Sequence, residues 1–431
     1  MKIHLKGGHL IGPGKTPGSV AQQTSDLFIA DGRIVGIGAA PADFTATRSF
    51  DATRLTVTPG LTDLAARLRK RGDEDEAAIQ SEMAAALAGG VTTLVCPPDA
   101  GPVLDEPGLV EMFRSHIGKP NQARVYPLGA LTVGLKGTRI TEMVGLTEAG
   151  CIGFSQAKMP IVDTQVLMRA LQYAATYGYT VWLGAQDPYL ARGGVAASGP
   201  VASRLGLAGI PDSAETIALH TILELVRVTG ARVHLQHLSS ARGLALVRAA
   251  KREGLPVTCD VTINHLHLID ADIGYFDAQY RLDPPLRTQR DRDGIRAALL
   301  DGTVDAICSG HTPIDDAEKL LPFGEASPGA SGIELLLSST VKWARDARVP
   351  LAQALAKVTN DPAEAVLGLA PARIEVGASA NLCIFDAAAY WTVNAASLRS
   401  RGRNTPFLGY EVPAQVRATL IAGQFAFERN R

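Results

Sequence analysis

The sequence predicts an α/β protein: a (β/α)8 TIM-type barrel with a small β-sandwich-like domain built from both termini. Three observations predict it. Through the middle of the chain, short apolar runs alternate with alanine- and leucine-rich stretches, the pattern of parallel strands covered by helices on both faces. Both ends instead alternate apolar and polar residues between glycine turns, with no helical period. Finally, 431 residues are too many for an ordinary compact domain but suit one large barrel and an appended unit.

The elements follow in order. Residues 1–57 read as short strands, and Asp31-Gly32 between two apolar runs signals a hairpin. Strands are then expected at 92–96, 124–129, 180–183, 232–236, 256–260 and 304–308. One helix loads its first turn with Asp73-Glu-Asp-Glu and ends at Gly89-Gly90, and another ends at Gly254 with Pro256 beyond it. No G-x-G-x-x-G loop argues for an open dinucleotide-binding sheet, so residues 58–368 are assigned to the barrel. Strand texture returns at 380–386 and 416–427, and 369–431 join 1–57 in a composite β domain.

Composition narrows the function classes. A formal net charge of -1 gives no electrostatic footprint for nucleic acid or an anionic membrane. The start of the chain lacks a signal-peptide apolar core, and no run of about 18 apolar residues occurs, so a soluble cytoplasmic protein is expected. Cys96, Cys151, Cys259, Cys308 and Cys383 form no C-x-x-C pair and read as buried thiols rather than disulfides or a thiolate zinc site.

Chemistry in such barrels sits at the C-terminal ends of strands, and there the runs 59–69, 150–156, 183–187, 234–239 and 309–314 resemble motifs of the dihydroorotases, amidohydrolase-type barrels. Pro59-Gly-Leu-Thr-Asp-Leu-Ala-Ala-Arg-Leu-Arg69 is similar to P-G-x-x-D-x-H-x-H-x-R, with Ala65 and Arg67 at the two metal-binding histidines. In Gly150-Cys-Ile-Gly-Phe-Ser-Gln156, Gln156 stands at a metal-binding aspartate. In Leu183-Gly-Ala-Gln-Asp187, Gly184 replaces a histidine ligand and Gln186 an acid. His234-Leu-Gln-His-Leu-Ser239 keeps a ligand position at His237. In Ser309-Gly-His-Thr-Pro-Ile314, Gly310 replaces the aspartate that binds metal and serves as general base, and Ile314 a substrate histidine. Asp99, Asn264 and Asp283 replace an asparagine, a histidine and another asparagine near the substrate, while Arg69 matches the arginine that holds the substrate carboxylate. Similar stretches at 207–215, 283–287, 327–334 and 399–407 extend the resemblance over nearly the whole chain.

The resemblance implies zinc chemistry that these residues do not supply. A methyl, a guanidinium and two glycines offer no lone pair to a metal. The reading is therefore a dihydroorotase-like chain without catalytic metals, cofactor or catalytic residues, with a vestigial ligand pocket at Arg69, Asp99, His237, His265, Asp283 and His311. His237 and His311 are expected to be neutral and bonded to backbone in a collapsed pocket, against the alternative of a relocated metal cluster with His234, His265 and His267. Arg69 either holds an anion or pairs with Asp99 or Asp283. Arg67 is expected to fill the emptied metal cavity and neutralise Asp63, and Lys158 to be a solvated loop lysine. By resemblance to inactive dihydroorotase-like subunits, the expected partner is the aspartate transcarbamoylase catalytic subunit in a homo- or hetero-oligomer. A cyclic-amide hydrolase with a degenerate metal site and a sensor of pyrimidine precursors are the alternatives.

Overall fold

The computed structural model describes residues 1–13, 20–68, 76–99 and 101–429. Eight parallel barrel strands run in chain order. They are Leu61–Asp63, Val91–Cys96, a third in two pieces (Arg124–Pro127 and Gly129–Ala130), Phe154–Ser155, Thr180–Gly184, Arg232–Gln236, Val257–Thr262 and Ala306–Cys308. Each pairs in parallel with the next. The ring closes where Ala66, past the first strand, bridges His311, past the eighth. The fourth strand, Phe154–Ser155, is only two residues long and is not among those the sequence predicts. A strand this short gives too little sequence to show a period.

Helices stop where the sequence signals predict. Ala241–Glu253 begins at Ser240, whose hydroxyl accepts from the Gly243 N–H, and ends at Gly254 with φ of 87°, a left-handed cap that glycine adopts without a side-chain penalty. The helix Glu76–Ala88 ends before Gly90. The predicted acidic first turn at Asp73 lies outside the described residues. No helix among those described is long and apolar enough to cross a membrane.

Both termini meet in one eight-stranded sheet, in the order Gln424–Glu428, Glu411–Ile421, Leu382–Thr392, Thr56–Pro59, Lys2–Pro13, Val20–Ala30, Arg33–Ile37, with Arg48–Asp51 pairing to Lys2–Pro13. The Asp31-Gly32 turn has positive φ at both residues, as a type I′ hairpin requires. The two-residue alternation of Leu382–Thr392 explains how this sheet is attached. Leu382 and Ile384 face the small terminal core with Ile3, Leu27 and Val57, while Cys383 and Phe385 face the barrel core. One strand thus serves two cores, and all five cysteines are buried.

Candidate functional site

The strand ends of the barrel surround a cavity of about 430 Å³, so the expected collapse has not occurred. Four of the replaced ligand positions, Ala65, Arg67, Gln156 and Gly184, line it together with His237 and Asp283. Gly310 does not. Its φ is +62°, and a Cβ there would lie 3.0 Å from Thr262 Cγ2, so both backbone and neighbour favour glycine.

The charged groups pair in an arrangement that corrects several expectations. Arg67 clamps Asp99, with Nη2 2.8 Å from Oδ2 and Nε 3.2 Å from Oδ1, a fork geometry suited to a carboxylate. Burial opposes the charge of Asp99, but Arg67 outweighs it and holds the carboxyl below its usual range. Arg67 therefore neutralises Asp99, not Asp63. Asp63 is satisfied by the Ser309 hydroxyl and by the Ser309 N–H at 2.9 Å, and its burial raises its pKa.

Lys158 is an exposed loop lysine, as expected, but it is paired. Its Nζ donates to the Asp283 carbonyl at 2.7 Å and lies 3.6 Å from the Asp283 carboxylate. Burial pushes its pKa down, with Asp283 opposing. Lys158 in turn helps hold Asp283 below the usual carboxylate range against the cost of burial. Arg69, expected near these acids, lies outside the described residues.

The histidines form no common cluster. Burial drives His237 down to about 4, outweighing the attraction of Asp260, so it is neutral at pH 7. Its Nε2 is buried with no hydrogen-bond partner, and its backbone sits at φ 53°, uncommon for a non-glycine residue. His265 is buried, Nδ1 2.8 Å from Thr262 Oγ1 and Nε2 3.3 Å from the Pro285 carbonyl. His267 bonds the Ser339 carbonyl at 2.9 Å. His311 faces away from the cavity. The Gly332 N–H donates to its Nδ1 at 3.2 Å, so Nε2 carries the proton and donates to Glu82 at 2.8 Å. A side-chain carboxylate, not backbone alone, thus holds His311. Of the six predicted pocket residues, His237 and Asp283 line the cavity and Asp99 supports it through Arg67. His265 and His311 do not line it.

Sequence reasoning missed Asp260 and Cys308. Asp260, fully buried, accepts from His234 Nε2 at 2.9 Å, the His237 N–H at 2.7 Å and the Cys308 thiol at 3.4 Å. Donor atoms of His237, Asp260 and Cys308 all lie within 4.8 Å of one another. The available signal was a lone aspartate inside the apolar strand Val257–Thr262.

These side chains do not fit a two-metal hydrolytic centre. Ala65, Arg67, Gly184 and Gly310 have no donor, and the Gln156 amide is committed to the Thr132 hydroxyl and the Leu135 carbonyl, both at 2.9 Å. A cation already sits at the mouth as Arg67. His237, Asp260 and Cys308 are the remaining candidate group among the described residues, yet burial holds the Cys308 thiol protonated and Asp260 already has three donors.

Barrel, terminal sheet and the placement of the strand-end residues define an amidohydrolase-type scaffold. L-hydantoinase (dihydropyrimidinase) from Arthrobacter aurescens superposes with a TM-score of 0.84 at 22% identity, covering 100% of this chain and 96% of that one, and the dihydropyrimidinase of Brevibacillus agri gives 0.82 at 20% identity over 99% and 95%. Residues 54–242 match the family described as dihydro-orotase-like. A dihydroorotase-like protein of Pseudomonas aeruginosa is 43% identical over 99% of this chain and 100% of its own length, and a dihydroorotase of Geobacter sp. is 35% identical over 99% and 100%. The chain belongs to the dihydroorotase-like family.

Proposed function

We propose that the chain is a non-catalytic dihydroorotase-like subunit of pyrimidine biosynthesis, acting in the cytoplasm by binding and stabilising the catalytic subunit of aspartate transcarbamoylase. The observation that supports the absence of catalysis is the Arg67–Asp99 ion pair, with Arg67 at one of the replaced histidine positions. A metal lowers the pKa of bound water from about 15.7 to about 7, equivalent to about 12 kcal/mol of nucleophile activation. Among the described residues, none lining the cavity supplies that. The partner is taken from the family resemblance. Co-expression with aspartate transcarbamoylase followed by sizing tests it: co-elution, with the transferase less stable alone, is expected. Separate elution of a transferase that is equally stable and active alone would refute it.

A second reading is favoured by the His237, Asp260 and Cys308 group: a hydrolase of cyclic amides using a single ion. It requires bound metal and dihydroorotate turnover that both disappear in His237→Ala.

A further inference from the structure

The barrel also opens at the N-terminal ends of its strands, opposite the mouth. The two-residue strand period puts Thr180 and Trp182 of the fifth strand, Arg232 and His234 of the sixth and Thr258 of the seventh on one side. Register sets Thr180 beside Arg232, Trp182 beside His234 and His234 beside Thr258. The inner of these two layers is filled: Trp182 and His234 are buried with ring centroids 4.5 Å apart, and Thr258 Oγ1 lies 2.8 Å from His234 Nδ1. The end layer is not, because Thr180 is small and Arg232 is exposed. One turn of π-helix, Pro362–Val366, plugs part of this end, with Val366 in one buried cluster with Leu64, Val95, Trp182 and Cys308. Between the plug and the starts of strands five to seven remains a cavity of about 310 Å³, at the lower end of the small-molecule range of roughly 300–1,000 Å³.

Apart from two threonine hydroxyls and two charged groups, side chains such as Ile152, Tyr179, Val257 and Leu367 make its lining apolar. Tyr179 continues outward as a stacked pair with the exposed Tyr177, ring centroids 5.7 Å apart. Arg232 donates through Nη2 to the Gly178 carbonyl and keeps further N–H groups for a ligand. Glu364 stands on the plug. Both charged groups line the cavity, and neither has an ion-pair partner among the described residues. A lone anion would be drawn to Arg232 and repelled by Glu364, and a lone cation the reverse. A molecule carrying both charges is attracted by both, and the planar fork of Arg232 suits a carboxylate.

We infer that this cavity binds a small zwitterion, an α-amino acid with an apolar side chain, its carboxylate on Arg232, its ammonium on Glu364 and its side chain on Ile152, Val257 and Leu367. The site is separate from the replaced ligand positions, which lie at the other ends of the strands. Binding here does not depend on assembly with another subunit.

Calorimetric titration of the full-length protein with L-phenylalanine, 3-phenylpropionate, which lacks the ammonium, and phenethylamine, which lacks the carboxylate, tests the inference. Phenylalanine is expected to bind at least about fivefold more tightly than either analogue, a difference near 1 kcal/mol. Arg232→Gln should weaken phenylalanine to the level of phenethylamine, and Glu364→Gln should weaken it to the level of 3-phenylpropionate. Both residues are exposed, so neither change disturbs the core. Ile217→Trp, on the mouth cavity at the opposite end, should leave phenylalanine binding unchanged. No binding of phenylalanine, equal or tighter binding of either analogue, phenylalanine binding unchanged in Arg232→Gln or Glu364→Gln, or its loss in Ile217→Trp would each overturn the inference.

Discussion

Two buried polar regions lie near each other, the mouth cavity and the seam where residues 399–404 cross the barrel. At the seam, Glu334 accepts the Arg399 N–H at 2.8 Å and the Ser400 N–H at 3.0 Å, and Glu82 accepts the Ser400 hydroxyl at 2.6 Å and His311 Nε2 at 2.8 Å. Asn404 accepts from the Ile314 N–H and the Ser331 hydroxyl, both at 3.0 Å, and donates to the carbonyls of Thr312 at 3.0 Å and Gly329 at 3.2 Å. Structural parts of the dihydroorotase-like motifs are in place and satisfied there. At the mouth the ligand-bearing parts are replaced, leaving pairs of opposite charge and an imidazole nitrogen without a partner. The hydrogen bonds that hold the fold are therefore on different residues from the ones at the replaced ligand positions.

This contrast can be broken first at the seam. Asn404→Ala removes four side-chain hydrogen bonds and leaves buried backbone groups unpaired; a loss of about 3 kcal/mol is expected from urea unfolding. At the mouth, Arg67→Met strands Asp99 in a largely buried site and should cost about 2 kcal/mol, whereas adding Asp99→Asn to it should recover part of that loss. If the double variant is as unstable as the sum of the singles, the ion pair is not a coupled unit. Gly310→Asp, which would restore a ligand type, should cost about 1–2 kcal/mol because of its positive φ and the contact with Thr262. Gly184→His should stay within about 0.5 kcal/mol, since nothing lies closer than 3.7 Å to its added Cβ.

The pH dependence separates the regions further. His237, His265 and His267 are each lowered by burial to about 4, so the unfolded chain binds more protons than the native one between about pH 4 and 6.5, and stability rises with pH across that window. Glu334, raised by burial to about 7, acts in the opposite sense. Its native form holds a proton the unfolded chain has released, so it lowers stability as pH rises from about 4.5 to 7. Glu334→Gln should therefore steepen the rise measured by thermal melts between about pH 4.5 and 7. An unchanged slope would show that Glu334 does not titrate there.

Much of the fold was legible because strand and helix periods are local. Thr92 and its apolar neighbours, the glycine caps and the Asp31-Gly32 turn each declare themselves within a few residues. The site was legible where a motif names a position, as at Ala65, Arg67, Gln156 and Gly184. It was not legible where a side chain's partner is distant in sequence. Arg67 finds Asp99, Glu82 finds His311, and His234 finds Asp260, and one sequence gives no means of matching them. His311 was misplaced because its partner Glu82 lies far from it in sequence.

Elemental analysis of the purified full-length chain after equilibration with zinc and removal of loosely held ions, paired with a dihydroorotate turnover assay, tests the central claim most directly. The account predicts only trace metal per chain and no turnover above the uncatalysed rate. One or more tightly held ions per chain, with turnover that disappears in His237→Ala, would contradict it.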